Sequence, residues 1–120
     1  MKILVADDSR VMRQIVIRTL RQAGFGDHDI VEANDGTSAH ETVASEKPDL
    51  VLSDWNMPGM TGIELLRALR AGGNTVPFGF ITSESSEEMA TIASDGGALF
   101  LITKPFTADI FREQLGSLLG

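Results

Sequence analysis

Short apolar segments alternate along the chain with longer stretches in which apolar side chains recur every three to four residues. The apolar segments are residues 2–6, 28–33, 49–53, 78–82 and 99–103. In the stretch between Val11 and Leu20, apolar residues at i, i+4 spacing lie opposite arginines, which is typical of an amphipathic helix. Similar helical periods follow each of the other segments. The pattern therefore predicts five strand–helix units.

Residues that begin or end helices stand at the boundaries of these units. The predicted helix starts are Ser9, Asp35-Gly36, Thr61-Gly62-Ile63-Glu64 and Ser85-Ser86-Glu87-Glu88, and the last two match the S/T-x-x-E capping box. The predicted helix ends are Lys47-Pro48 and Gly72-Gly73. These signals agree with the periodicity of the apolar residues.

The predicted strands read as continuous apolar runs rather than as alternating patterns. Such runs are typical of a parallel sheet that is covered by helices on both faces, and right-handed crossovers then leave few topologies open. We expect an α/β fold, namely a doubly wound five-stranded parallel sheet in the flavodoxin-like order 2-1-3-4-5 with five helices. Residues 1–120 are expected to form a single domain.

Composition narrows the class of protein. The 120 residues are 42% hydrophobic, carry a formal net charge of −7 and include no cysteine. The absence of cysteine excludes disulfides, thiolate metal sites and a cysteine nucleophile, and it favours a cytoplasmic location. The negative charge argues against nucleic acid or a membrane surface as a partner, and no apolar run is long enough to span a bilayer.

Polar side chains follow four of the predicted strands at the points where they end. They are Asp7 and Asp8 after the first strand, Asp54 after the third, Thr82 after the fourth and Lys104 after the fifth. In an open parallel sheet, ligands bind outside the carboxyl ends of the strands where the strand order reverses. We therefore expect three carboxylates, a hydroxyl and an ammonium group to converge there.

Clustered carboxylates repel one another, and a hard divalent cation or a nearby ammonium group relieves that repulsion. Mg²⁺ suits this cluster because it takes one or two carboxylates and completes its coordination with water and phosphate oxygens. A carboxylate beside it can act as a nucleophile and become an aspartyl phosphate. No histidine ends a predicted strand, so the pattern favours phosphoryl transfer over proton-transfer catalysis.

Four motifs in this order resemble the bacterial response regulator receiver domain. They are Asp7-Asp8, the segment 53–62 that reads Ser-Asp-Trp-Asn-Met-Pro-Gly-Met-Thr-Gly, Thr82-Ser83, and Lys104-Pro105-Phe106. The resemblance covers essentially the whole chain and extends more narrowly to the chemotaxis members of the family. It leaves no segment for an output domain, so we expect a stand-alone receiver.

The resemblance implies a role for each matched residue. Asp54 would accept a phosphoryl group from a histidine kinase, and Mg²⁺ would be bound by Asp7, Asp8, Asp54 and the backbone carbonyl of Asn56. Lys104 would pair with Asp54 and later with a phosphoryl oxygen, and Thr82 would hydrogen-bond another. The Lys104-Pro105 peptide bond is expected to be cis.

The resemblance also implies partners. They would be a chemotaxis histidine kinase of the CheA type and a downstream target such as the flagellar motor switch, with the chain itself a monomer and not an enzyme in the ordinary sense. Asn56 and Glu84 would flank the water that attacks the phosphoryl group. Two alternatives stay open: a phosphate sink or phosphorelay intermediate, and a haloacid dehalogenase-type phosphatase, whose D-x-D pattern Asp54-Trp55-Asn56 does not match.

Several of these residues also have simpler interpretations. Asp8 alone would be a helix cap, Thr82 would start a turn, and Trp55 would be a packing residue. One position departs from the family, because Leu101 stands where receivers usually carry Tyr or Phe. Phe100 is not expected to substitute for it, since adjacent strand residues point to opposite faces of a sheet.

Overall fold

In a computed structural model, which describes residues 1–119, five strands alternate with five helices. The strands are β1 (Lys2–Ala6), β2 (Asp29–Ala33), β3 (Leu50–Ser53), β4 (Phe78–Thr82) and β5 (Phe100–Thr103). The helices are α1 (Arg10–Gln22), α2 (Gly36–Glu46), α3 (Gly62–Ala71), α4 (Glu87–Asp95) and α5 (Ala108–Leu119). The five predicted strands are confirmed, and β2, β3 and β5 each begin one residue later than predicted.

All neighbouring strands are parallel, and their order is β2-β1-β3-β4-β5. This confirms the doubly wound flavodoxin-like sheet. Side chains alternate between two apolar clusters, one on each face: Leu4 and Val51 belong to one cluster, and Ile3 and Leu50 to the other. Because both faces are covered, the strands carry apolar residues at nearly every position.

Strand β5 shows the same alternation at the position where the chain departs from the family. Phe100 belongs to the cluster that contains Phe111 of α5, whereas Leu101 packs against the opposite cluster, with Ala93 of α4. The ring of Phe100 lies over Gly79 of β4, where an added Cβ atom would be 2.1 Å from the ring. The prediction that Phe100 does not replace the missing aromatic residue is therefore confirmed.

Three of the four helix starts predicted from the sequence have the expected N-cap residue. The side chains of Ser9, Asp35 and Thr61 each accept a hydrogen bond from the backbone N–H three residues later. The Thr61 cap is a complete capping box, because the Glu64 carboxylate accepts from the backbone N–H of Thr61 at 3.0 Å. These two hydrogen bonds fix the start of α3, close to the segment that carries Asp54.

The fourth helix begins one residue later than the capping-box pattern predicts. Its cap is Ser86, whose hydroxyl accepts from the backbone N–H of Met89 at 3.1 Å, so the prediction of a Ser85 cap is wrong. Met89 has no carboxylate to return the hydrogen bond. Glu87 and Glu88 instead lie in the first turn, where negative charge interacts favourably with the positive end of the helix dipole. None of the helices within residues 1–119 is long and apolar enough to cross a membrane.

Candidate functional site

Three carboxylates meet at the carboxyl edge of the sheet. Asp7 follows β1 and Asp54 follows β3, and these adjacent strands are in register, with the Asp54 N–H donating to the carbonyl of Ala6 at 2.9 Å. Carboxylate oxygens of Asp7, Asp8 and Asp54 all lie within 4.8 Å of one another. Asp7 is buried, Asp54 is half-buried and Asp8 is exposed. The predicted convergence of the three residues is therefore present.

Asp7 is held by its own backbone and by α1. Its Oδ1 atom accepts from the backbone N–H of Ser9 at 2.9 Å, and its carbonyl oxygen accepts from Nη1 of Arg13 at 2.6 Å. Nε of Arg13 also donates to the Glu32 carboxylate at 2.9 Å. Arg13 therefore joins the site to β2, a positioning role that the sequence did not reveal because α1 carries arginines at several positions.

Asp54 lies in a tightly packed segment between β3 and α3. Its Oδ1 atom accepts from the backbone N–H of Trp55 at 2.8 Å, and the indole packs on Phe80 with ring centroids 4.8 Å apart. The N–H of Gly62 donates to the carbonyl of Trp55 at 2.8 Å, and a Cβ atom at Gly62 would be 2.2 Å from the carbonyl oxygen of Asp54. Trp55 is thus a packing residue, and only glycine fits at position 62.

Ser53 is a second residue that the sequence analysis missed. It is fully buried at the end of β3, and its hydroxyl donates to the carbonyl of Asp54 at 2.8 Å. A serine within an otherwise apolar strand is the signal that would have found it, because buried hydroxyl groups require a hydrogen-bond partner. Ser53 therefore helps to orient the backbone at Asp54.

Lys104 supplies the positive charge of the cluster. Its Nζ atom lies 3.1 Å from Oδ2 of Asp7 and 3.7 Å from Oδ2 of Asp54. The resemblance implied a pair with Asp54, and the structure adds the shorter contact with Asp7. The backbone N–H of Lys104 donates to the carbonyl of Thr82 at 2.7 Å, and the Lys104-Pro105 bond is cis, as expected.

The pKa of Asp54 is raised above its ordinary value. Burial is the largest cause, and the neighbouring charge of Asp7 acts in the same direction. The ammonium group of Lys104 and the backbone N–H groups of Trp55 and Asn56 partly offset that increase. Burial therefore sets the direction of the shift in the pKa of Asp54, and the charges of Lys104 and Asp7 change that pKa in opposite directions.

Thr82, at the end of β4, and two exposed residues that follow β3 and β4 lie near the carboxyl edge of the sheet. Thr82 is fully buried at the end of β4, and its hydroxyl accepts from the backbone N–H of Glu84 at 3.3 Å. Glu84 and Asn56 are both exposed, on the segments that follow β4 and β3. The simpler interpretation of Thr82 as the start of a turn is thus compatible with its place at the site.

The donor set fits a hard divalent cation. Oxygen ligands from three carboxylates suit Mg²⁺, and a cleft of about 350 Å³ lined by Asp8, Asn56, Met57, Pro58 and Thr61 opens beside them. Among residues 1–119, Lys104 is the cationic side chain that forms salt bridges with these carboxylates, so one ammonium group faces three carboxylates and negative charge remains at the edge of the sheet. A bound cation would neutralise it.

The strand order and the acidic edge together define a flavodoxin-like protein with its site at the point where strand order reverses. Residues 3–115 match the response regulator receiver domain, and the chain belongs to that family. Receiver domains are components of two-component signalling that bind Mg²⁺ at an acidic pocket, and they are not classical enzymes.

Chemotaxis proteins are among the relatives that resemble this chain in sequence and structure. The chain is 41% identical over 117 residues to the chemotaxis protein CheY of Pseudomonas aeruginosa, covering 96% of this chain and 93% of that protein. It is 42% identical over 117 residues to CheY-3 of Vibrio cholerae, covering 96% and 88%. The structure of V. cholerae CheY4 superposes with a TM-score of 0.85 at 33% identity, covering 98% of each chain. The family thus implies a histidine kinase and a downstream target as partners.

Removal of the Lys104 charge tests how far this ammonium group offsets the repulsion between the carboxylates of Asp7 and Asp54. In EDTA, Lys104→Met is expected to lower the free energy of unfolding by about 1–3 kcal/mol, because Asp7 and Asp54 would then repel each other without compensation. Asp54→Asn in the same chain should recover most of this loss, since it removes one of the two charges. Urea denaturation at neutral pH measures both effects.

The control is Lys2→Met, which removes an ion pair with Glu46 whose side chains are 33% and 44% exposed. Exposed pairs contribute less than about 1 kcal/mol. Equal losses from Lys2→Met and Lys104→Met, or no recovery with Asp54→Asn, would contradict the assigned role of Lys104.

Proposed function

We propose that this chain is a response regulator, with a receiver domain over residues 1–120, whose Asp54 accepts a phosphoryl group from the phosphohistidine of a kinase. The observation that carries the proposal is the contact of one ammonium group, Lys104, with the carboxylates of both Asp7 and Asp54 at the edge of the sheet. This arrangement keeps a half-buried carboxylate in place beside a site for a divalent cation.

In the proposed transfer, an Oδ atom of Asp54 attacks the phosphorus of the donor. The new O–P bond forms as the P–N bond to the imidazole breaks, and the electron pair of that bond stays on the nitrogen. The N–H of Trp55 orients the carboxylate through Oδ1, while Lys104 lies on the side of Oδ2. Positioning and charge stabilisation supply most of the catalysis in such transfers.

The cation would be held by Asp7, Asp8, Asp54 and the backbone carbonyl of Asn56. When bound, Mg²⁺ supplies charge neutralisation for the phosphoryl oxygens. Lys104 would exchange part of its contact with the carboxylates for a phosphoryl oxygen. The hydroxyl of Thr82 would donate to another phosphoryl oxygen from the end of the neighbouring strand.

The output of the switch would be altered binding to a target protein. A cleft of about 520 Å³ lies between α4 and β5, and Leu101 lines it together with the small side chains of Ala90 and Ala93. That space allows α4 to shift against β5 when Thr82 moves. A shift in packing would therefore replace the aromatic side-chain movement that Leu101 does not provide.

Chemotaxis is the process that the relatives support. Since the chain is 41% identical to a CheY protein, we propose a CheA-type kinase as donor, a flagellar motor switch as target, and the cytoplasm as location. The alternative is a phosphate sink or relay intermediate, which would pass its phosphoryl group to another protein rather than switch the binding of a target. Pull-down of the target with and without phosphorylation separates the two, because a sink gains no partner on phosphorylation.

Phosphorylation at one residue is the direct test of the proposed function. With acetyl phosphate and Mg²⁺, the chain is expected to incorporate one acid-labile phosphoryl group, and Asp54→Asn should abolish it. Mass spectrometry of the intact protein and of its peptides measures the site. An acid-stable phosphate on a serine or threonine, or undiminished labelling of Asp54→Asn, would overturn the proposal.

Mg²⁺ binding has its own readout in Trp55, the only tryptophan of the chain. Because Trp55 is adjacent to Asp54, titration with Mg²⁺ should change its fluorescence and raise the midpoint of thermal unfolding. Asp8→Asn should weaken this response, and Asp49→Asn, an exposed residue at the opposite end of the sheet, should not. An unchanged signal in the unsubstituted protein would show that the cluster does not bind the cation.

The lifetime of the phosphorylated form depends on access for water. Asn56 and Glu84, which the resemblance places beside the attacking water, are both exposed, and we expect them to leave a path for in-line attack. Asn56→Lys and Asn56→Arg are expected to lengthen the lifetime by roughly ten- to a hundredfold, or ~1.4 to 2.7 kcal/mol of barrier, because a bulky cation shields the phosphoryl group. Loss of radiolabel over time measures it. A phosphoryl group that persists for hours in the unsubstituted protein would contradict this expectation and favour a slow relay.

A further inference from the structure

Helix α1 differs in charge from the rest of the chain. It contains four arginines and no acidic residue, whereas the other residues of the chain include six basic and 17 acidic side chains. An acidic protein thus has one cationic helix. Clustered charge of one sign on an otherwise oppositely charged surface creates a local potential that attracts a complementary partner.

Three of the four arginines lie on one side of the helix. At 3.6 residues per turn, Arg10, Arg18 and Arg21 fall within an arc of about 80°, together with Gln14. All four of these side chains are exposed. The opposite side of α1 is buried, as Val16 shows. We call the surface formed by Arg10, Gln14, Arg18 and Arg21 the outer face of α1.

The arginines of the outer face take part in none of the salt bridges that the structure describes among residues 1–119. The fourth arginine, Arg13, is different because it pairs with Glu32 and binds the carbonyl of Asp7. Beside Arg18 and Arg21, a cleft of about 420 Å³ reaches Glu32, whose charge Arg13 already balances. The outer face is therefore a cationic surface without an internal counter-charge.

We propose that the outer face of α1 is a docking site for an acidic segment of a partner protein. From Arg10 to Arg21 the face is roughly 16 Å long, so a segment of two or three helical turns with three or four carboxylates would match it. Val11, 70% exposed, and Ile17, which lines the cleft, add apolar contacts at its margin. A peptide uses such contacts, whereas a phosphate backbone does not.

The surrounding charge favours a short protein segment over an extended polyanion. Outside α1, acidic side chains exceed basic ones by 11. DNA or an anionic membrane would extend past the outer face and meet this negative surface. Arg10 lies two residues after Asp8, whereas Arg18 and Arg21 lie towards the end of α1. Substitution of Arg18 and Arg21 therefore tests the docking site separately from the carboxylate cluster.

The test uses two synthetic twelve-residue peptides, one with four glutamates on a single helix face and one with glutamines in their place. Binding is followed by NMR titration of the full chain at low salt. The glutamate peptide should shift the amide signals of α1, and Arg18→Gln with Arg21→Gln should weaken its affinity by roughly five- to tenfold. Asp54→Asn should bind it like the unsubstituted chain.

The matched control is Lys47→Gln with Arg67→Gln, which removes two exposed positive charges outside α1 and changes the net charge equally. It should alter the affinity less than twofold. An equal loss in the control, equal binding of the glutamine peptide, or signal shifts that spare α1 and Glu32 would overturn the proposal. Tighter binding of a twelve-base-pair DNA or of phosphatidylglycerol vesicles would also overturn it, since the surface would then recognise phosphate.

Discussion

Repulsion between carboxylates at one edge of the sheet is the constraint on which the rest of this structure depends. The register of β1 with β3 places Asp7 beside Asp54, one residue beyond the last paired positions of the two strands. The compensating ammonium group comes from Lys104, 97 residues after Asp7 in the chain. The repulsion between Asp7 and Asp54 is therefore reduced only when β5 has joined the sheet, so the site and the complete fold form together.

The surroundings of the cluster restrict movement rather than add charge. Buried Ser53 and the close approach of Gly62 fix the backbone at Asp54, and Arg13 fixes the backbone at Asp7. Two apolar clusters hold the strands from both faces. A rigid sheet edge of this kind suits chemistry that proceeds by positioning, because little reorganisation is needed when a charged group arrives.

The sequence predicts the sheet order and the convergence of the three carboxylates because both follow from the position of polar residues at the ends of apolar strands. The sequence is less informative where two neighbouring residues could form the same cap or where one side chain could pair with either of two others. Ser85 and Ser86 both suit a helix cap, and the structure has Ser86 as the cap of α4. Similarly, the proximity of Lys104 to Asp7 depends on side-chain geometry, which no motif encodes.

The contact between Phe100 and Gly79 has a consequence for how such sequences diverge. An added methyl group at position 79 would meet the Phe100 ring at 2.1 Å, so the two positions share one volume. A larger residue on β4 would be accepted only after the aromatic ring on β5 has become smaller. In an alignment of relatives, these two positions are expected to covary, because they are neighbours in the sheet although they lie on different strands.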